Sequence, residues 1–300
     1  MNFLPPAVAA IDIGSNAARL LIATSAEDVS AAGPRKELLL RVPLRLGESV
    51  FTQGVLTKEK ADALLHFIKA CKHLMKIHRV TAFRACATAA MREAKNGEET
   101  ARWIARKTGV TIDIINGTEE SRIIYESHIA DKLSPRRRYI YVDVGGGSTE
   151  IALIEQRRFK KSRSFKIGTL RLREGNFSDG TWEKLRQWIP HNDTPGVPLE
   201  IIGSGGNINK LYRLAGLPAG TKLSVARLRR LHAELSGMTL EEKTSRLKLR
   251  PDRADVIVPA CEIFLAIANA AGVRHINVPT MGLADGIVHQ LCQQQRGAAQ

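Results

Sequence analysis

Apolar positions along this chain follow two periods. Val8 to Ile13 is a nearly unbroken apolar run ending at Gly14, and Ala17 to Ala23 is a second run just after it. Runs this short, bounded by glycine and small polar residues, predict a buried strand and its return strand. Between Thr57 and Ile77 the period changes, with Ala61, Leu64, Leu65, Ile68, Cys71 and Met75 recurring at helical spacing. Val80 to Ala85 predicts a strand, Gly97 to Thr108 a helix and Val110 to Ile115 a strand. Thr118 to Leu133 predicts a helix with Thr118 as its N-cap. Strands alternating with longer helical patterns define an α/β chain.

The opening pattern then returns. Tyr139-Ile140-Tyr141-Val142-Asp143-Val144-Gly145 matches Val8-Ala9-Ala10-Ile11-Asp12-Ile13-Gly14: an apolar strand delivers Asp, an aliphatic residue and Gly. A small-residue loop follows each time, Ser15-Asn16 in the first copy and Gly146-Gly147-Ser148-Thr149 in the second, before another apolar strand. A repeat at this scale is a duplicated domain, not a solenoid. It predicts two α/β domains, 1–122 and 123–300, whose equivalent hairpins face each other across a cleft. The chain is expected to cross between them near Glu120 to Tyr125. The last helix, about 284–300, is a candidate to complete the first domain.

Composition supports this division. A chain of 300 residues, 44% hydrophobic and 25% charged, fits two globular domains. No apolar run approaches bilayer-spanning length on inspection of the sequence, so no membrane is expected. The start lacks the basic region of a signal peptide. Cys71, Cys86, Cys261 and Cys292 include no CxxC pair, which points to a reducing cytoplasm instead of a disulfide framework or a zinc site. The net charge of +15 favours an anionic partner. Residues 1–122 hold 18 Lys and Arg against 13 Asp and Glu, and residues 123–300 hold 27 against 17, so the second half carries most of the excess. Aromatic residues are only 5%, which argues against base-stacking platforms and makes nucleic acid an unlikely partner.

The chemistry concentrates at glycine turns. Asp12-Ile13-Gly14-Ser15-Asn16 puts a carboxylate at a strand end beside small residues, although alone it reads as an ordinary tight turn. Asp143-Val144-Gly145-Gly146-Gly147-Ser148-Thr149-Glu150 is more informative. Three consecutive glycines suit a ligand lying against the main chain, and the flanking Asp143 and Glu150 could converge on one magnesium ion. It has neither the Lys of a P-loop nor the spacing of a G-x-S-x-G elbow. Gly203-Ser204-Gly205-Gly206-Asn207 follows an apolar run and reads equally as an anion-binding turn or a plain strand-to-helix connection. Glu119 and Glu120 either complement a helix dipole or supply a general base. Arg92 is a phosphate grip or a surface arginine paired with Glu93. The basic clusters Arg136 to Arg138 and Arg157 to Lys166 read as solvated faces or as the lining of a path for a long polyanion.

Taken together, these stretches resemble the exopolyphosphatase and guanosine pentaphosphate phosphohydrolase family, a branch of the actin, sugar-kinase and Hsp70 superfold. The resemblance also covers Ala87 to Ala94, Gly117 to Arg122, Ile167-Gly168-Thr169, Arg253 to Ala260 and Met281 to Gly286, in the family's order. It implies two actin-like (ribonuclease-H-like) domains and Glu120 as catalytic base. It implies Asp143 and Glu150 as magnesium-associated acids, with Asp12 a further candidate. Thr88 and Arg92 would contact phosphate, together with the turns Gly14-Ser15-Asn16, Gly145-Gly146-Gly147-Ser148 and Gly203-Ser204-Gly205-Gly206. Ala17 and Ala89 stand where the family commonly has hydroxyls. The C-terminal helical domain of many relatives is not expected here. The implied reaction is magnesium-assisted in-line attack of water on the terminal phosphorus of polyphosphate, with guanosine pentaphosphate as the alternative substrate. A same-fold ATP-dependent kinase and a non-catalytic polyphosphate or nucleotide sensor are the rival readings. Relatives often form homodimers.

Overall fold

The computed structural model describes residues 7–24, 34–126, 133–178, 180–192, 195–279 and 281–298. It divides into two compact units: unit 1 is Met1–His128 with Leu283–Gln300, and unit 2 is Ile129–Gly282.

In unit 1, β1 (Ala7–Ile13) pairs antiparallel with β2 (Ala18–Thr24), and β2 with β3 (Arg35–Val42). Two helices follow, α1 (Leu46–Gln53) and α2 (Lys58–Ile77). Next come β4 (Val80–Ala87), α3 (Ala89–Glu93), α4 (Gly97–Thr108), β5 (Asp113–Ile114) and α5 (Gly117–Glu126). The sheet order is β3-β2-β1-β4-β5, with β4 parallel to β1 and β5 parallel to β4. Every residue of β1 is buried, which explains its unbroken apolar run: a central strand covered on both faces has no polar side to show.

Unit 2 repeats the plan. Strands β6 (Arg138–Val144), β7 (Thr149–Glu155) and β8 (Arg158–Phe165) form an antiparallel meander. Short helix α6 (Thr169–Arg173) and α7 (Gly180–Trp188) lead to β9 (Leu199–Ser204), which lies parallel to β6 and runs into α8 (Gly205–Leu214). There follow β10 (Leu223–Ser224), α9 (Val225–Ser236), α10 (Leu240–Ser245), α11 (Pro251–Ala254), α12 (Ile257–Ala271) and β11 (His275–Asn277). The order β10-β11-β9-β6-β7-β8 contains the unit 1 order with one extra edge strand. The duplication therefore extends from the two turns to the whole sheet.

The last helix, α13 (Leu283–Ala298), belongs to unit 1. It packs so closely on α5 that a Cβ at Gly286 would lie 2.5 Å from the Ile123 carbonyl oxygen. Gln290 donates to Glu126 at 2.9 Å and Gln295 to Thr81 at 2.8 Å, tying the helix to α5 and β4.

Several expectations are corrected. The strand expected over Val110 to Ile115 shrinks to two residues, because β5 is an edge strand that pairs only with Cys86 and Ala87. The cap of α5 is Asn116, whose Oδ1 accepts from the Glu119 amide at 2.9 Å, and Thr118 lies inside the helix. That helix is described to Glu126, so its expected continuation towards Leu133 lies outside the described residues. One stretch, Pro251–Ala271, is long and apolar enough by length and composition to cross a membrane, contrary to the reading of the sequence. Here it is the core of unit 2: Ile257, Ala260, Cys261, Ile263, Phe264, Ile267, Ala268 and Ala271 are all buried.

All four cysteines are free and buried. Burial pushes the thiols of Cys71, Cys86 and Cys261 up to about 12. Their stabilising contribution is therefore complete below the unfolded thiol pKa of about 8.5 and is lost as pH rises from there towards 12. Native protein at pH 8 should leave all four thiols unreactive towards a chromogenic disulfide reagent over minutes, and unfolded protein should titrate all four. Fast reaction in the native state would contradict the buried placement.

Candidate active site

Unit 1 collects its candidates at the C-terminal ends of β1, β4 and β5. The β1–β2 turn closes through Gly14 N–H to the Ala17 carbonyl at 3.2 Å. Its other carbonyls face the start of α1: Gly47 N–H donates to Ser15 O at 2.8 Å and Arg45 N–H to Asn16 O at 3.0 Å. In a trans peptide the C=O and the following N–H point opposite ways, so the Asn16 and Ala17 amides are aimed away from α1. Thr88 joins this end by donating its amide to Ile13 O at 3.1 Å, and Arg92 N–H donates to Thr88 O at 3.0 Å. The Arg92 guanidinium donates to Ile115 O at 2.8 Å, beside the first turn of α5. Arg92 is thus held among the candidates and is not a surface partner of Glu93.

The two adjacent acids separate cleanly. Glu119 is half-exposed and accepts from Arg84 at 2.7 Å, and Arg84 also donates to Asp113 at 2.9 Å. Burial opposes the Arg84 charge, but the bonds to Glu119 and Asp113 outweigh it and hold the guanidinium firmly protonated. Glu120 is only 8% exposed. Glu119 completes a surface ion pair, and Glu120 is the enclosed carboxylate.

Asp12, the further magnesium candidate, already has a cationic neighbour. It is buried and paired across the hairpin with Arg19, whose guanidinium donates to its carboxylate. Within unit 1 it meets a cation where the second copy has an acid.

In unit 2, Asp143 and Glu150 are direct partners in the β6–β7 ladder. Opposite residues of an antiparallel pair emerge on one face with Cβ atoms about 5 Å apart. Ser148 Oγ and Ser164 Oγ both donate to Glu150 Oε1, at 2.6 and 2.8 Å, which orients that carboxylate. The Asp143 carboxylate lies over Gly205, where a Cβ would come within 2.3 Å of Oδ1, and Gly205 adopts φ +88°. This brings the third glycine cluster to the carboxylate pair. Ser204 Oγ donates to Met281 O at 2.7 Å, anchoring the start of α8.

Two carboxylates on one face suit magnesium, which takes one or two from the protein and fills its octahedron with water and phosphate oxygens. No group of three metal-ligating side chains occurs among the described residues. The donor set therefore fits an ion completed by substrate, and does not form an all-protein cage.

The triple-glycine turn is braced from behind by residues that carried no role in the sequence reading. Thr169 N–H donates to Gly145 O at 3.0 Å, and Leu170 and Arg171 N–H to Gly146 O at 2.9 and 3.2 Å. Arg171 Nε donates to Gly147 O at 2.9 Å. With three successive carbonyls turned towards α6, the amides of Gly146, Gly147 and Ser148 point the other way, as an anion-binding nest requires. Gly168 makes the approach possible: a Cβ there would lie 2.4 Å from Gly146 O. A further relay holds the turn's base, with Arg253 donating to Asn207 Oδ1 at 2.9 Å and Asn207 Nδ2 to Val144 O at 2.8 Å. Arg173 pairs with Asp255, so the Arg253-Ala254-Asp255 stretch clamps both α8 and α6. Lys210 is pushed below its ordinary pKa by burial and then by Arg213 and Arg253, a crowding of cations that an arriving anion would relieve. None of this could be read locally, since the partners lie 20 or more residues away in the chain.

A Gly168→Ala substitution should destabilise the protein by about 1–3 kcal/mol, because backbone has to move. It should also shift the amide resonances of Gly146 and Gly147. Gly180→Ala, where a Cβ meets nothing within 4 Å, is the control and should change little. Equal small effects at both sites would contradict the bracing.

The comparisons with known proteins agree with this geometry. A family model described as the Ppx/GppA phosphatase family matches residues 38–295. Exopolyphosphatase 2 of Mycobacterium tuberculosis is 28% identical over 318 residues, spanning 95% of this chain and 98% of its own. The crystal structure of the Aquifex aeolicus member of the Ppx/GppA family is 26% identical with a TM-score of 0.77, covering 97% of this chain and 98% of that one. An exopolyphosphatase from Cytophaga hutchinsonii superimposes with a TM-score of 0.79 at 21% identity, covering 96% and 98%, and shows the shared fold. The expected actin-like α/β fold is the fold of these neighbours. With matched residues running through both units, the chain belongs to the Ppx/GppA phosphatase family and is a phosphate-releasing hydrolase.

Proposed function

We propose that this protein is an exopolyphosphatase that removes the terminal phosphate from inorganic polyphosphate in the cytoplasm. The observation that carries the reading is the β6–β7 turn: three amides turned outward by bound carbonyls, next to a same-face carboxylate pair. That arrangement recognises phosphate oxygens and does not depend on the rest of the substrate. The exopolyphosphatase relatives and the basic excess of the chain favour a long phosphate chain.

In this reading the amides of Gly146, Gly147 and Ser148 and the first turn of α8 hold the phosphate oxygens. The Gly14–Asn16 turn, Thr88 and Arg92 give unit 1 the same chemistry. Glu120 accepts the proton of the attacking water. Ser148 and Ser164 orient Glu150. A magnesium ion held by Asp143 and Glu150 would neutralise charge on the transferring phosphoryl group. Holding water and phosphorus in line, with charge already balanced, supplies most of the acceleration. The thiols take no part, because three of them are pushed up to about 12 and stay protonated at neutral pH.

Phosphate release should be measured from long polyphosphate, triphosphate and guanosine pentaphosphate in parallel. Wild type should act best on long polyphosphate, and Glu120→Gln should lower kcat at least about a hundredfold with KM within about threefold. A kcat within tenfold of wild type would remove Glu120 from the mechanism. Preference for guanosine pentaphosphate would name the other substrate of the family resemblance. Asp143→Asn should raise the magnesium concentration for half-maximal rate at least about tenfold, and an unchanged requirement would move the ion elsewhere.

A further inference from the structure

The duplicated fold carries its own control for an unusual surface. β3 and β8 hold the same place in their sheets, each the third strand of a meander at an edge. Both are rich in cations, as edge strands that resist pairing with other chains commonly are. On β3 the two exposed cations are answered: Arg35 pairs with Glu37 at 2.8 Å, and Lys36 with Asp285 at 2.5 Å. On β8 they are not. Arg158, Lys160, Lys161 and Arg163 are exposed, and none has a carboxylate partner among the described residues. The chain holds no acid from Gln156 to Arg173. Neighbouring charges along this strand lie within a Debye length of about 8–10 Å of one another and repel.

One end of this strip adjoins the β6–β7 turn, because Phe165 pairs with Thr149. Ser164, the next residue after Arg163, donates to Glu150 at 2.8 Å from the opposite face of the strand to Lys161 and Arg163. From there the strand recedes to Arg158 over about 20 Å. Lys161 Nζ lies 4.9 Å from the Trp188 ring centroid, and the Arg163 guanidinium 5.3 Å from that of Phe165. Phe165 is buried and Trp188 carries a cation over its ring, so neither is a free stacking platform for a nucleobase. The strip suits a polyanion without bases.

We propose that β8 is a docking track for linear polyphosphate, holding the part of the chain distal to the phosphates at the Gly145–Ser148 turn. This rests on the exopolyphosphatase reading. The track contributes through charge and counterion release, so its effect depends on chain length and on salt. A chain of three phosphates is too short to lie along it, and a chain of hundreds covers it.

The test compares wild type with a Lys160→Gln, Lys161→Gln, Arg163→Gln triple variant. An Arg158→Gln, Lys160→Gln double variant, which touches neither ring, serves should the triple variant not fold. Lys58→Gln with Lys69→Gln, exposed on α2, removes the same number of charges as the double variant elsewhere. The track variants should raise KM for long polyphosphate about tenfold at low salt and flatten its salt dependence, with triphosphate KM moving less than twofold. The α2 variant should change neither. Equal loss on long and short substrates, or an equal effect from the α2 variant, would overturn the track in favour of a general field effect. Binding of long polyphosphate and of single-stranded DNA to the Glu120→Gln protein separates this proposal from the functional reading. Weakened polyphosphate binding in the track variants supports the track even if wild type hydrolyses only guanosine pentaphosphate. An equal loss of DNA binding would make the strip a nucleic-acid surface and overturn the proposal.

Discussion

A turn can offer its amides to an anion only if its carbonyls are held on the other side, and that constraint shapes both halves of this molecule. The trans peptide couples the two directions rigidly. In unit 2 the backbone of Thr169, Leu170 and Arg171, with the Arg171 guanidinium, takes the three carbonyls of Gly145, Gly146 and Gly147. In unit 1, Arg45 and Gly47 take those of Asn16 and Ser15. Each brace is the segment that follows the third strand of the meander. The glycines answer to the same geometry in both copies, since a Cβ at Gly14 or at Gly145 would lie 3.1 Å from the carbonyl oxygen that closes the turn.

On this shared frame the copies have diverged in charge. The position across the hairpin from the strand-end Asp is Arg19 in the first copy and Glu150 in the second. The first pairing neutralises Asp12, and the second leaves a carboxylate pair suited to a cation. The edge strands diverge in the other sense, with the two exposed cations of β3 paired with carboxylates and the four of β8 not, among the described residues. Unit 1 holds the enclosed Glu120 and the anchored Arg92, and unit 2 holds the braced glycine turn with its carboxylate pair.

Much of this was legible in the sequence because it is local. The repeated strand-Asp-aliphatic-Gly pattern disclosed the duplication, and the apolar runs located β1, β2, β6 and β7. The residues alone found the acid pair without resolving it, and only the family resemblance singled out Glu120: Glu119 is drawn to Arg84, 35 residues away on β4. Strand β8 escaped notice because an edge strand with exposed charges shows no apolar run, and β3 because its run is only Leu38 to Leu40 between charged residues. Asp12 read as a possible metal ligand, and Arg19 becomes its partner only when the hairpin register is known. Gly168 stood in a recognisable motif without a reason, which the structure supplies as a close approach to the Gly146–Gly147 peptide.

The most direct test of this account is the amide response of the cradle itself. In 15N-labelled Glu120→Gln protein with magnesium, tripolyphosphate should shift the resonances of Gly146, Gly147 and Ser148 in a saturable way, ahead of the rest of unit 2. If those three amides stay unmoved while ligand binds elsewhere, the outward-facing turn is not the phosphate site and the account built on its bracing is wrong.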